Sequence, residues 1–317
     1  MGSRRRSPLS LMKKTMRSKD QFDLKSYLSE KKGIVDRALE VYIPESEGPA
    51  SDLINAMKYS LFAGGKRLRP ILCLAGTEAV GGTETDCLAV ACALELIHTY
   101  SLIHDDLPMM DDDDLRRGKP TSHKVFGEAM ALLAGDGLLT EAFNLMTRTD
   151  LTKDVAPQVM LKVISLISRA SGYNGMVGGQ VVDIQSEGKS LDFPLVEFIH
   201  THKTGALITA SVISGAMLGR GDESQVRAIT SYGRKIGLAF QVSDDILDIE
   251  GDSNIMGKKV GADQEKGKIT YPSVLGLKKS KEIQSELVEE AIESLRIFYH
   301  GAEPLRRIAL YIIERKK

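Results

Sequence analysis

The residues that first invite a chemical reading are Asp105, Asp106 and Asp111, with Asp112, Asp113 and Asp114 directly behind them. They follow an apolar helical segment, LELIHTYSLI. Two like charges about 4 Å apart repel by roughly 4 kcal/mol at an effective dielectric near 20. Carboxylates gathered at the end of a core helix are therefore costly unless cations offset them. Oxygen donors with no cysteine beside them suit a hard cation, and Mg²⁺ that keeps waters and shares substrate phosphates is the natural choice. Taken alone, the cluster reads equally well as a solvated acidic turn.

A second cluster weakens that plain alternative. Asp244, Asp245 and Asp248 form D-D-x-x-D after another apolar segment, GLAFQVS. On a helix Asp244 and Asp248 stand at i and i+4 and project from one face. Two such clusters, each ending a core helix, predict two acidic walls facing one cavity and several Mg²⁺ ions held against a diphosphate.

Basic residues complete the pattern. Gly64-Gly65-Lys66-Arg67-Leu68-Arg69-Pro70 sets three cations beside glycines, and Arg116 and Arg117 follow the first acidic cluster. Lys203, Lys258 and Lys268 lie near glycines or threonines. Singly, each is an ordinary surface charge. As a set they read as diphosphate anchors, because Arg grips phosphate bidentately and Lys acts as a point charge.

In order along the chain stand GGKRLRP, HTYSLIHDDLPMMDDDDLRRGKPTSHK, GGQVVD, HKTGAL, GLAFQVSDDILDIEGD and GKKVGADQEKGKITYP. This series resembles the ordered motifs of the trans-isoprenyl diphosphate synthases, from about residue 22 to the C-terminus. Two extra residues separate the aspartates of the first motif, as in bacterial-type farnesyl and plant-type geranylgeranyl diphosphate synthases. The resemblance implies roles. Asp105, Asp111 and Asp244 match magnesium ligands, as many as three ions being held, with Asp106 and Asp248 in support. Lys66, Arg69, His98 and Arg117 match the isopentenyl diphosphate pocket. Arg116, Lys203, Thr204, Gln241, Lys258 and Lys268 match groups around the allylic diphosphate or the nascent cation, with Gln180 and Asp183 beneath it. Tyr100, with Ser101 beside it, matches the position that sets product length, and an aromatic there implies farnesyl diphosphate. Geranylgeranyl diphosphate is the alternative product. A homodimer is implied as well.

The implied chemistry is ionisation, condensation and elimination. It needs no protein nucleophile: preorganised charge stabilises the departing diphosphate, and the site excludes the water that would quench the cation. Three rivals are less consistent with the residues. A metal phosphohydrolase built on His104-Asp105 would draw on His123, His200 or His202 and a transition metal, leaving both D-D motifs without a role. A terpene cyclase normally carries Asn or Ser with Glu in its second motif, and has no need of Lys66, Arg69 and His98. A non-catalytic partner subunit typically loses an Asp motif, and both are whole here.

The elements that must position these residues are helical. Leu53, Met57 and Leu61 recur at four-residue spacing, as do Leu88, Cys92 and Leu96, and Ile236, Phe240 and Asp244. No run of strand alternation bounded by turns is evident. Breaks fall at Pro44 to Pro49, Gly64-Gly65, Gly81-Gly82, Pro108 and Gly257 to Gly267, and Pro272 reopens a helix at its first turn. The expectation is an all-α bundle of about ten or more helices around a central cavity. Although 317 residues would allow two domains, the absence of a repeat or long linker predicts one, over 21–317.

Composition sets the remaining bounds. Apolar residues make up 42% and charged residues 27%, an ordinary soluble balance. A net charge of −1 argues against nucleic acid as a partner. Cys73, Cys87 and Cys92 lack a C-x-x-C spacing and read as free thiols in a reducing compartment. The longest candidate apolar run, Ala206 to Gly219, is too short for a membrane span and reads as a tightly packed core helix. The chain is thus expected to be cytoplasmic and not an integral membrane protein. Residues 1–20 are basic with no acid before Asp20. They read as an organelle transit segment, which would place the chain in a plastid or other organelle, as a tag remnant, or as a loose bacterial extension.

Overall fold

A computed structural model of the chain describes residues 22–43, 45, 47–186, 188, 193–250 and 269–315. Residues 1–20, Lys258 and Lys268 lie outside the described residues.

Fourteen α-helices are present among the described residues. The first seven are α1 (Leu24–Tyr42), α2 (Ser51–Leu61), α3 (Leu68–Ala79), α4 (Glu84–Asp105), α5 (Ser122–Phe126), α6 (Glu128–Thr147) and α7 (Pro157–Ser171). Then come α8 (Met176–Ser186), α9 (Phe193–Ile199), α10 (Ala206–Leu218), α11 (Glu223–Glu250), α12 (Tyr271–Leu275), α13 (Leu277–Ser294) and α14 (Glu303–Glu314). A π-helical turn, His200–Gly205, runs from α9 into α10.

The helix boundaries follow local chemistry. The Asp86 carboxylate accepts from Thr83 N–H at 2.7 Å and closes a capping box at the start of α4. That helix stops at Asp105, three residues before Pro108. Helix α10 sits at the centre, packed against α3, α4, α7 and α11. Its small residues are required: a Cβ on Gly215 would fall 1.9 Å from the Cys73 carbonyl oxygen, so α3 and α10 meet backbone to backbone. The expectation of a tightly packed core helix over Ala206 to Gly219 holds.

Two apolar clusters fill the bundle. One surrounds α4 and α6, with Leu94, Leu96, Leu138 and Leu145 fully buried. The other joins α3, α10, α11, α13 and α14 around Ile71, Tyr232 and Leu305. Cys73, Cys87 and Cys92 are buried and free.

Two features depart from the sequence reading. Leu115–Arg116 pairs antiparallel with Lys119–Pro120, a pair of two-residue strands too short for any alternation to signal. Arg117 and Gly118 between them have φ of 54° and 76°, as a primed hairpin turn requires. The second concerns membranes: Glu84–Asp105 is long and apolar enough to cross one by length and composition. It is instead a core helix, 72% of its most apolar stretch being buried by the other helices.

Candidate active site

The end of α4 opens onto a cavity of about 440 Å³. Tyr100, Ser101 and Asp105 line it from α4, Gln180 from α8, and Lys203 and Thr204 from the π turn. Arg69 and His98 reach the same space. Residues from four of the sequence motifs thus converge on one cavity. Its apolar side is a stripe on α8, Val177, Val181 and Ile184. Sequence reasoning missed that wall, although its i, i+4, i+7 spacing was available as a signal.

The first acidic motif is arranged by its own turn. Asp111 N–H donates to the Asp105 carbonyl at 2.8 Å, folding the DLPMMD segment back on the helix end. Burial pushes the Asp105 carboxyl up to about 6; Lys203 opposes this and Asp111 adds to it. Asp106 is buried and gripped by Arg116, whose Nε lies 2.8 and 2.9 Å from the two carboxylate oxygens. Burial raises Asp106 and Arg116 opposes the rise.

The second motif divides. Asp244 is half-buried, and takes Gln241 Nε2–H at 3.2 Å on one oxygen and Arg315 Nη2–H at 2.8 Å on the other. Asp248 is buried on the same helix face. Asp245 points elsewhere, to His200 and the backbone of Tyr271. Asp244 and Asp248 do not line the cavity itself. The Asp244 charge does reach Arg69.

The basic motif separates by task. Arg67 is buried in a pair with Glu95 at 2.8 Å and Asp36 at 2.8 Å, and its Nη2 donates to the Leu61 carbonyl at 2.7 Å. It is committed to structure. Lys66 is exposed, and lines a second cavity of about 310 Å³ together with Arg315. Arg69 Nε and His98 Nδ1 have no hydrogen-bond partner. Burial lowers Arg69 to about 10, with Arg117 adding to the fall. Burial, then Arg69 and Arg117, hold His98 well below its ordinary range. Arg117 donates to the Gly64 carbonyl, and its guanidinium covers Gly65 so closely that a Cβ there would fall 2.7 Å away. Buried nitrogens without hydrogen-bond partners beside a further guanidinium are what an anion site requires.

Around the cavity, Lys203 Nζ donates to Asp183 Oδ2 at 2.6 Å. Both amide atoms of Gln180 are buried without a partner. Ser101 is turned to the His98 carbonyl at 2.9 Å. The histidines do not converge, as a phosphohydrolase would need. His104 binds the Leu132 carbonyl, His123 meets Thr121, His200 meets Asp245, and His202 meets the Phe198 carbonyl.

Residues 51–297 match the sequence profile of the polyprenyl synthetase family. A farnesyl diphosphate synthase of Geobacillus stearothermophilus is 52% identical over 276 residues, spanning 87% of this chain and 92% of the relative. A chloroplastic geranylgeranyl pyrophosphate synthase of Arabidopsis thaliana is 48% identical over 295 residues, covering 92% and 82%. Among solved structures, an FPP/GFPP synthase from Zymomonas mobilis superposes with TM-score 0.81 at 39% identity over 92% of this chain and 98% of its own. A geranylgeranyl pyrophosphate synthetase from Pyrococcus horikoshii gives TM-score 0.83 at 34% identity, with the same coverage. The chain belongs to the polyprenyl synthetase family. Within it, the chain is a trans-isoprenyl diphosphate synthase.

Proposed function

We propose that the chain condenses isopentenyl diphosphate with dimethylallyl and then geranyl diphosphate to give farnesyl diphosphate. The observation that carries the product length is Tyr100. It is buried to 6% exposure and faces the same cavity as Asp105, five residues on along the helix. That spacing is about 7.5 Å of helix axis, so the ring stands across the path of a chain growing down from the diphosphate. Similarity to a farnesyl diphosphate synthase at 52% identity supports the same reading.

In this account Asp105, Asp111 and Asp244 hold magnesium, and Asp106 and Asp248 support them. The donors fit: they are oxygens only, and burial holds Asp105 raised to about 6, with Lys203 opposing and Asp111 adding to the rise. Among the described residues no three metal-ligating side chains converge on their own. When bound, magnesium supplies positive charge to the departing diphosphate.

The protein's residues do the rest. Lys66, Arg69, His98 and Arg117 hold isopentenyl diphosphate. Lys203 and Arg116 face the allylic diphosphate, and Lys258 and Lys268 join them in this reading. Thr204 and Gln241 present oxygen dipoles to the allylic cation, with Gln180 and Asp183 beneath. The apolar stripe of α8 offers the prenyl chain an apolar surface to lie against. Incubation with labelled isopentenyl diphosphate and an allylic partner tests the assignment; no condensation product would overturn it.

Geranylgeranyl diphosphate is the second reading. Val177, Val181 and Ile184, each more than 40% exposed, leave one side of the cavity half open. A homodimer belongs to the same proposal, supported by Leu132 and Leu133 of α6, 45% and 53% exposed. Sedimentation at the mass of one chain would contradict it. The free thiols fit a cytoplasmic, reducing setting, which fractionation of the source cells would check.

A further inference from the structure

We infer that His200 is a positioning residue for Lys203 and Thr204, with Asp245 as its anchor rather than a cation ligand. This rests on the reading just given. Lys203 and Thr204 both sit on the π turn His200–Gly205. A π turn inserts extra backbone into a helix and re-aims the side chains it carries. Such a turn is rare and holds only where its surroundings fix it.

Two contacts fix its height. A Cβ on Gly179 would fall 2.2 Å from the Lys203 nitrogen, and a Cβ on Gly237 would fall 2.9 Å from Gly205 Cα. The turn is thus wedged between α8 and α11 by backbone against backbone. Close packing of this kind is not directional, and it leaves rotation about the turn's axis unset.

The polar tie sets that rotation. His200 Nε2 lies 2.8 Å from Asp245 Oδ2, and both side chains are 9% exposed. An ionised carboxylate only accepts, so Nε2 donates. The same Oδ2 accepts from Tyr271 N–H at 2.8 Å. The Tyr271 ring packs on the His200 ring at 5.3 Å and meets Phe193 edge-on at 5.2 Å. Away from water these bonds are stronger than at the surface. One carboxylate oxygen therefore joins the π turn, the acidic helix and the start of α12. It also explains why Asp245 departs from Asp244: the next residue on a helix is turned about 100° away. Asp244 and Asp248 share one face, and Asp245 looks to the clasp.

The test uses the full chain with Mg²⁺ and both substrates. His200→Phe keeps a ring for Tyr271 and deletes the donor. It should lower kcat about 10- to 100-fold, the scale of a misplacement near 1 Å, while KM for isopentenyl diphosphate, held elsewhere, stays within about twofold. His200→Gln restores a donor and should recover kcat to within about fivefold. Hydrogen exchange of the substrate-free protein should quicken at residues 201–205 in His200→Phe and not in His200→Gln. The inference is overturned if His200→Phe keeps wild-type kcat, if His200→Gln brings no recovery, or if both KM values rise together with the loss. Should His200→Phe fail to fold, Asp245→Asn decides instead through hydrogen exchange of the substrate-free, metal-free protein: faster exchange at residues 201–205 supports the clasp, and unchanged exchange there overturns it. A wild type that makes no prenyl product would instead sink the function, leaving hydrogen exchange to judge the clasp.

Discussion

Arg315 holds Asp244: its Nη2 donates to the carboxylate at 2.8 Å, tying the residue after the last helix to the second acidic motif. The same nitrogen donates to the Phe240 carbonyl at 2.9 Å, Nε reaches Ser243 Oγ at 3.2 Å, and the guanidinium lies 4.0 Å over the Phe240 ring. The Arg315 side chain is 2% exposed and that of Asp244 is 45% exposed. The two partners are therefore unequal. Losing the arginine abandons several buried acceptors, whereas Asp244 retains water. Arg315→Gln should destabilise the fold by about 1–3 kcal/mol. Urea unfolding reads this as a lower midpoint at unchanged slope, and an unchanged midpoint would show the pair to be idle.

The raised Asp105 carboxyl predicts a pH dependence in the chelated protein. Its folded value, about 6, lies above the ordinary 3.8. Between those values the folded state binds more protons than the unfolded state, so this group makes stability fall as pH rises from about 4 to 6. Above pH 6 the cost is fully present and amounts to about 2–3 kcal/mol. Asp105→Asn removes it. In EDTA the variant should gain on the wild type across that window and hold the gain at pH 7. Parallel stability profiles would show that Asp105 is not strained.

Chelation should abolish turnover, and added Mg²⁺ should restore it, because the donors are oxygens only. Asp105→Asn and Asp244→Asn should each lower kcat far more than they raise KM. The charge these carboxylates help to stabilise develops as the diphosphate departs. Either variant keeping most of its kcat would remove that residue from the site.

Much of this was legible in the sequence because it rests on local spacing. The 3.6-residue period and glycine pairs gave the helices, and Pro108 marked the end of α4. Four of the motifs supplied residues that line the cavity. What could not be read depends on which way a helix is rotated. D-D-x-x-D does not say that Asp245 turns to His200. The residue types in GGKRLRP do not separate the structural Arg67 from Arg69; only the motif resemblance did. Arg315 lies 71 residues from Asp244 in sequence, and nothing in the sequence shows that the His104 ring packs over Gly135.

The length of the product tests the central claim most directly. Labelled isopentenyl diphosphate should be converted with dimethylallyl diphosphate mainly to farnesyl diphosphate, resolved by chromatography after dephosphorylation. Tyr100→Ala should open the cavity beneath Asp105 and shift the product to geranylgeranyl diphosphate or longer without abolishing turnover. A wild type that makes mainly geranylgeranyl diphosphate, or a Tyr100→Ala variant with unchanged product length, would place the floor of the site elsewhere and contradict the account.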